Sequence, residues 1–453
     1  RCCRPERMAS RCEEILAYIS SEMFDTYSYV KIFPKVIYYL YLSTAEADRD
    51  WNRLLRLSNK GIEQLRTTGR MYYLWELIEI RREGLTWLMD GIENDEEGRK
   101  RESVQKVIDM MTEWLDALDF VHDLCGTHRK METSCYLYQQ KEAYCICDVI
   151  RRRREMLGMT KKALCEGICS EKTIGRLEAN KTKPNIEIVR LLFERLNLSG
   201  EYQRWPICTK NVQDFALVDE IMGSIYKNDY RKAEQLLVDL IHRIPMDNAL
   251  NKQYKERIEA KIKFGHKNIS EKEAIEYFRR ILEYTMPFEA SIRNVEKYLT
   301  NAEMQCLLNI AVYSEVLGDS VVFNMLIELC EQMETDEGVP EHIAVWETIM
   351  TNIANIYGDR GDYDKSDAIN IRIVNECVYC YRMNILDINL YISAWNNSQR
   401  KKKNIPTVEG YQEIEYLKNC VAICQINRNT ERENRIKERL MMLLKNETKN
   451  EIQ

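Results

Sequence analysis

Apolar residues along the chain recur at helical spacing, with few alternating runs that would read as strands, and short polar turns break the pattern. The cleanest stretch holds Ile150, Leu157, Leu164, Ile168, Ile174, Leu177, Val189, Leu192 and Leu196, the core of a small multi-helix domain. Its punctuation predicts four short helices. The first runs from about Ile146 to Leu157 and stops at Gly158, which tolerates the left-handed conformation a helix end requires. Thr160 caps a second helix starting at Lys161, Gly167 to Ser170 make the turn, and Ser170 caps a third from Glu171 to about Ala179. Asn180 to Pro184 end that helix, and Pro184 just ahead of Ile186 suits the start of a fourth.

Amphipathic helices continue from about Asn211. The stretch Val345 to Ile369 looks like a tetratricopeptide hairpin: Asn352, Ala354 and Tyr357 pack its first helix, Gly361-Asp362-Tyr363 turn the chain, and Ser366 takes the small position opening the second. Related signals lie at Ile225 to Ala233, Ser270 to Ile275 and Leu308 to Asp319. The markers Ala233, Ala274 and Ser366 stand 41 and 92 residues apart, the latter two intervals of 46. Both intervals exceed the ~34 residues of a standard repeat, so the array is degenerate. Hairpins that cannot bury their apolar faces alone stack into a curved solenoid with a concave surface. An extended peptide there needs both donors and acceptors, which side-chain amides supply, and Asn309, Asn352, Asn355 and Asn370 are the candidates.

The N-terminal region is helical too. Leu54 to Leu65 with Gly69 to Leu77 match, in apolar spacing, Leu417 to Cys424 with Asn427 to Leu440, as if both were closing hairpins of an array. The expected organisation is therefore helical hairpins over 1–95, read as the tail of an earlier array whose preceding module would lie upstream of Arg1. A linker and long helix follow over 96–144, the four-helix domain over 145–200, the repeat domain over 210–445 and a disordered tail over 446–453. The fold class is all-α, and composition agrees: 17 Gly and 8 Pro in 453 residues are too few for the turns of a sandwich or barrel.

Charge singles out the central domain. The chain carries a net −6, yet Val149 to Lys183 hold ten Lys or Arg against four Glu, a local +6 that leaves the remainder at −12. Only this window suits a polyanion. With Ile174 and Leu177 turned inward, Glu171, Lys172, Thr173 and Arg176 share the outer face of the third helix, where such side chains read base edges in a major groove. Thr160 and Lys161, together with Asn180, Lys181 and Lys183, fall where phosphates pass, and Ser170 stands at the DNA-facing start of the third helix. Residues 146 to 198 thus resemble a complete Xre-type helix-turn-helix. Glu166-Gly-Ile-Cys-Ser170 followed by Ile174-Gly-Arg-Leu-Glu178 resembles the helix-turn-helix of the Rgg/PlcR-type (RRNPP) peptide-responsive quorum-sensing regulators over about fifty residues. That family often has Gln where this chain has Lys161 and Ser where it has Gly175. The motif class places an internal ion pair at the positions of Arg154 and Glu178, a structural role.

The resemblance implies a cytoplasmic transcription regulator, with double-stranded DNA and a short peptide effector as partners and a homodimer formed through the helical arrays. Two half-sites about one turn apart would supply the specificity one recognition helix lacks. The alternatives are an interaction scaffold whose helix-turn-helix no longer binds DNA, and a phage-like repressor without an effector. No enzyme, cofactor or membrane association is expected: there is no phosphate-binding glycine loop, no H-E-x-x-H pair, no G-x-S-x-G elbow and no apolar run near ~20 residues. Among the 16 Cys, Cys377 and Cys380 with Cys420 and Cys424 have zinc-ligand spacing, but the same spacing on helices places small apolar residues on one face, and no metal is expected.

Overall fold

A computed structural model of the chain describes residues 5–21, 26–91, 98–127, 145–183, 185–199, 206–209, 211, 213–226, 228–265, 269–293, 298–335 and 339–451. Pro184, the break from Glu93 to Asn94 and onward to 97, residues 128–144 of the expected linker, and 452–453 lie outside the described residues. The chain is all-α: the described residues form twenty-one α-helices and one short 3₁₀ turn, and their sole extended pairing is an isolated antiparallel bridge between Arg70 and Arg382.

The helices group into two bodies, Arg1–Leu137 with Ala354–Gln453, and Tyr138–Ile353. In the first, α1 (Pro5–Ser21), α2 (Thr26–Ser43), α3 (Trp51–Thr68), α4 (Leu74–Asp90) and α5 (Gly98–Leu124) pack each on the next. They share a core with helices from the other end of the chain. These are α18 (Tyr363–Tyr379), α19 (Leu386–Lys402), α20 (Glu413–Ile426) and α21 (Thr430–Glu451), with α5 lying against α20. Residues 1–95 and the end of the 210–445 stretch therefore belong to one body, and α21 continues helical to Glu451 across most of 446–453.

Local chemistry sets the turns. Asp50 caps α3 by accepting from Arg53 N, and α3 ends where Gly69 takes a left-handed φ of 64°. The turn before α18 follows the expected hairpin: Gly361 has φ 86°, and buried Ser366 donates to the Ala354 carbonyl at 2.8 Å. Asn396 donates to Ser366 and to Asp367, and Arg400 pairs with Asp367 and Asp364, so α18 and α19 are tied by a buried polar network. Cys377, Cys380, Cys420 and Cys424 are all buried in this body. Burial pushes the Cys420 and Cys424 thiols up, away from the thiolate form a metal needs.

The second body holds four short helices, α6 (Ile146–Met156), α7 (Lys161–Cys165), α8 (Glu171–Glu178) and α9 (Ile186–Arg195). They are followed by α10 (Gln213–Tyr226), α11 (Tyr230–Ile241), α12 (Ala249–Gly265), α13 (Glu271–Leu282), α14 (Phe288–Arg293), α15 (Asn301–Val316) and α16 (Val321–Thr335). The last helix, α17 (Val339–Arg360), runs past the boundary. Ser270 and Thr300 open α13 and α15 with reciprocal capping boxes to Glu273 and Glu303. Ala233 and Ala274, the two repeat markers here, are fully buried, as small residues must be where hairpins cross closely. No helix among the described residues is long and apolar enough to cross a membrane.

Candidate nucleic-acid interface

The helix-turn-helix is built on one apolar centre. Ile150 from α6, Leu164 from α7, Ile174 and Leu177 from α8, and Val189, Leu192 and Leu196 from α9 and its end are buried together, with Leu157 and Ile168 packed at the edge. Side-chain caps fix the helix starts. Thr160 Oγ1 accepts from Ala163 N and Ser170 Oγ from Thr173 N, both at 3.1 Å, and Asn185 accepts from Glu187 N at 2.8 Å. Gly158 and Gly167 carry the positive φ angles, 64° and 72°, that turn the chain between α6, α7 and α8. Asn180 reverses the chain after α8 with a φ of 53° and accepts from the Cys147 thiol.

This frame leaves one polar face of α8 to solvent. Glu171, Lys172 and Arg176 are exposed and form no ion pair among the described residues. Thr173 is half-buried, its hydroxyl 2.8 Å from that of Ser170. Thr160, Ser170, Asn180, Lys181 and Lys183 are exposed. Lys161 is placed differently: half-buried, with its ammonium 3.3 Å from Glu178 Oε2, it is partly committed inside the domain. Gly175 borders open space, so the serine found at that position in the resembled family would meet no obstacle. Of the positions named from sequence for DNA, all but Lys161 and Thr173 are thus exposed, Lys172 and Arg176 on α8 among them.

Behind that face sit two arginines with separate tasks. Arg154 Nε meets Glu178 Oε1 at 2.6 Å and also donates to the Met159 carbonyl, which ties α6 to the end of α8 and to the turn before α7. The hydrogen bond to Glu178 raises Arg154 above the ordinary guanidinium range. Arg153, the residue before, is fully buried and makes a two-point pair with Glu303 of α15, NH1 to Oε2 at 2.8 Å. It also donates to the carbonyls of Leu196 and Tyr298, and Asn197 donates to Thr285 O. Glu303 is the capping-box residue of α15, so one carboxylate both starts that helix and anchors the four-helix module to it. Sequence reading counted Arg153 only within the basic window Val149 to Lys183; the signal it lacked was a Glu 150 residues away. Arg195 adds a second brace, donating to the Leu164 and Glu166 carbonyls at the end of α7.

The four asparagines assigned to a peptide surface are not gathered in one body. Asn309 and Asn352 belong to the second, where each donates to the carbonyl four residues earlier on its own helix. Asn355 and Asn370 belong to the first, and Asn370 is buried with both amide atoms unpartnered among the described residues. Asn309 alone lines a cavity of about 240 Å³, together with Ile225, Tyr230, Lys261, Phe264, Phe278 and Tyr313. Sequence reading missed Lys261. Loss of solvent, and then the neighbouring Arg257, pull its ammonium down from 10.5 to about 7.

Three solved structures are similar to the chain. PlcR from Bacillus thuringiensis, in complex with the peptide PapR7 and DNA, shares 12% identity over 65% of this chain and 99% of its own, with a TM-score of 0.40. ComR from S. thermophilus, in complex with DNA and its signalling peptide ComS, shares 13% over 66% and 99%, at 0.38. ComR from Streptococcus suis shares 15% over 66% and 94%, at 0.32. No curated protein matches the chain. The helix-turn-helix family model matches residues 150–203, the segment whose core, caps and exposed face are described above. Residues 150–203 are a helix-turn-helix domain.

Proposed function

We propose that the chain is a sequence-specific DNA-binding transcriptional regulator controlled by a small peptide held in its helical repeats. The observation that carries this is the face of α8: an intact, capped and fully packed helix-turn-helix that leaves Lys172 and Arg176 to solvent without a partner among the described residues. Lys172 and Arg176 address guanine O6 and N7, Glu171 accepts from cytosine N4, and Thr173 adjusts to its neighbours. Lys181, Lys183, Thr160 and the start of α8 at Ser170 hold phosphates. Lys161 contributes its charge from the edge while serving Glu178. DNA in the cytoplasm is the partner, and a second copy reads the second half-site.

The effector reading rests on the cavity and on how the DNA-facing module is attached. Glu303 holds Arg153 from the start of α15, and Asn309 lines the cavity less than two turns further along the same helix. A ligand that shifts α15 therefore acts on the anchor of the helix-turn-helix, provided it binds one arrangement better than the other. Aromatic walls from Phe264, Phe278 and Tyr313 suit an apolar peptide side chain, and Lys261 suits a carboxylate.

Selection of bound DNA from a random pool, with and without extract of the producing culture, tests the reading. A defined site whose recovery changes with extract is expected; absence of binding even at low salt overturns it. Lys261 gives a separate check on the cavity. A lysine whose folded value lies below its unfolded one costs stability below about pH 7, and the cost is relieved as the pH rises toward 10.5. Lys261→Met therefore raises the melting temperature more at pH 6 than at pH 10.5, and an equal gain at both would show that the ammonium is solvated.

A further inference from the structure

The bridge between Arg70 and Arg382 joins two stretches that are built alike. Helix α3 opens at Trp51 and α18 at Tyr363; α4 opens at Leu74 and α19 at Leu386; α4 ends at Asp90 and α19 at Lys402. One register, 312 residues apart, fits all three bounds. In that register both connections read αL residue, Arg, Met, two residues, Leu: Gly69-Arg70-Met71-Tyr72-Tyr73-Leu74 and Tyr381-Arg382-Met383-Asn384-Ile385-Leu386. Gly69 and Tyr381 both take positive φ, 64° and 53°. Burial follows the register, with Ser58 and Asn370, Ile62 and Val374, Leu65 and Cys377, Leu77 and Asn389, and Ile78 and Leu390 enclosed as pairs. Apolar spacing in the sequence matched the first hairpin to Leu417–Leu440; the structure matches it to α18 and α19.

The contacts between the two hairpins are reciprocal. Met71 N donates to Tyr381 O at 2.9 Å, and Met383 N donates to Gly69 O at 3.1 Å. Tyr72 stacks on Tyr381, ring centroids 5.0 Å apart, and Asn384, its counterpart, lies over Gly69 so closely that a β-carbon there would overlap its side chain. Around the same centre α5 packs on α20, α18 touches α5, and Arg66 at the end of α3 donates to the Gln425 and Ile426 carbonyls at the end of α20. A contact in which i meets j and the counterpart of j meets the counterpart of i defines a two-fold, self-complementary interface. Such interfaces ordinarily form between two copies of one chain.

We infer that α3, α4 and α5 are a built-in partner: they fill in cis a two-fold docking surface on α18 to α20 of the kind that would otherwise take a second copy of that same hairpin. The occupied edge has ordinary consequences. Its backbone donors and acceptors are already used, so this face is closed to a second chain. A homodimer formed through the helical arrays would have to use another surface, or exchange the N-terminal hairpins between chains. The side chains show the division of labour between the copies. Where the second hairpin has Ser366, Asp367 and Asn396 hydrogen-bonded, the first has Leu54, Leu55 and Gly84, with Leu55 filling the space over the glycine.

The test is a cysteine pair across the bridge in the full chain, Arg70→Cys with Arg382→Cys, oxidised and run under denaturing, non-reducing conditions beside the parent. A new cross-link that keeps the mass of one chain supports closure in cis. Dimer-mass product, or cross-linking when chains carrying Arg70→Cys alone are mixed with chains carrying Arg382→Cys alone, overturns it, as does failure to cross-link. Because Arg382 is buried, the unaltered protein provides a second measurement. The Met71 and Met383 amides should exchange slowly to the same extent across a hundredfold range of protein concentration. Protection that appears only at high concentration, or in neither segment, refutes the built-in partner.

Discussion

The helix-turn-helix domain carries two basic surfaces written in the same residues and used in opposite ways. On α8, Lys172 and Arg176 stand in solvent with no partner among the described residues, and on α6, Arg153 is wholly enclosed against Glu303. A charge left unpaired at a surface costs little and is available to a ligand. A charge taken from water must be met by an opposite charge and by carbonyls, and it then fixes one element on another. The comparison separates the proposed recognition from attachment within a domain of about fifty residues.

The attachment should give the largest effect when broken. Glu303→Ala strands the Arg153 guanidinium and also removes the capping box of α15, so a loss of about 3–5 kcal/mol is expected from denaturant titration of the full chain. A loss below about 1 kcal/mol would make the pair equivalent to a surface bridge. Recognition should break without any such loss. Lys172→Ala and Arg176→Ala are each expected to weaken specific DNA binding by about 1–3 kcal/mol and to relax preference at the base pair contacted, with an unchanged unfolding midpoint. Unaltered site preference would remove α8 from the reading face.

Smaller changes sharpen the boundary between the two roles. Ser170→Ala removes the cap of α8, about 1 kcal/mol of stability, and should lower DNA affinity for all sequences alike, through the helix it supports and the phosphate held at its start. Lys181→Ala should leave stability and preference intact, weaken all sequences alike, and reduce the slope of log affinity against log salt by about 1. Lys161 lies between the classes, since it is half-exposed and also meets Glu178. Its replacement by Ala should therefore move both measurements slightly, whereas a purely positional lysine would move only the second.

Much of the helix-turn-helix was legible because its signals are local. A cap acts over three residues, a left-handed glycine over one turn, and apolar spacing over two, so Thr160, Gly158, Ser170 and the core from Ile150 to Leu196 can be read from adjacent letters. The Arg154 position opposite Glu178 came from the motif, and the structure brings the two together at 2.6 Å. Lys261 and Arg153 were not legible. Their environments are made by residues brought from other helices, and a basic residue on an amphipathic helix looks the same whether its far end meets water or a carboxylate.

The same limit governs the N-terminal hairpins. Apolar spacing said that they resemble something near the other end of the chain, but helical spacing repeats every three to four residues and fits several registers equally well. Backbone pairing at Met71 and Met383 selects one. The sequence by itself determined an all-helical chain, the place of the helix-turn-helix, and which side chains of α8 stay in solvent, because short-range hydrogen bonds and periodic burial decide those. Only the tertiary structure decided which body each hairpin joins, which arginine is buried, and that a two-fold surface is closed within one chain. Those depend on pairings over hundreds of residues, for which the linear order of side chains carries no distance.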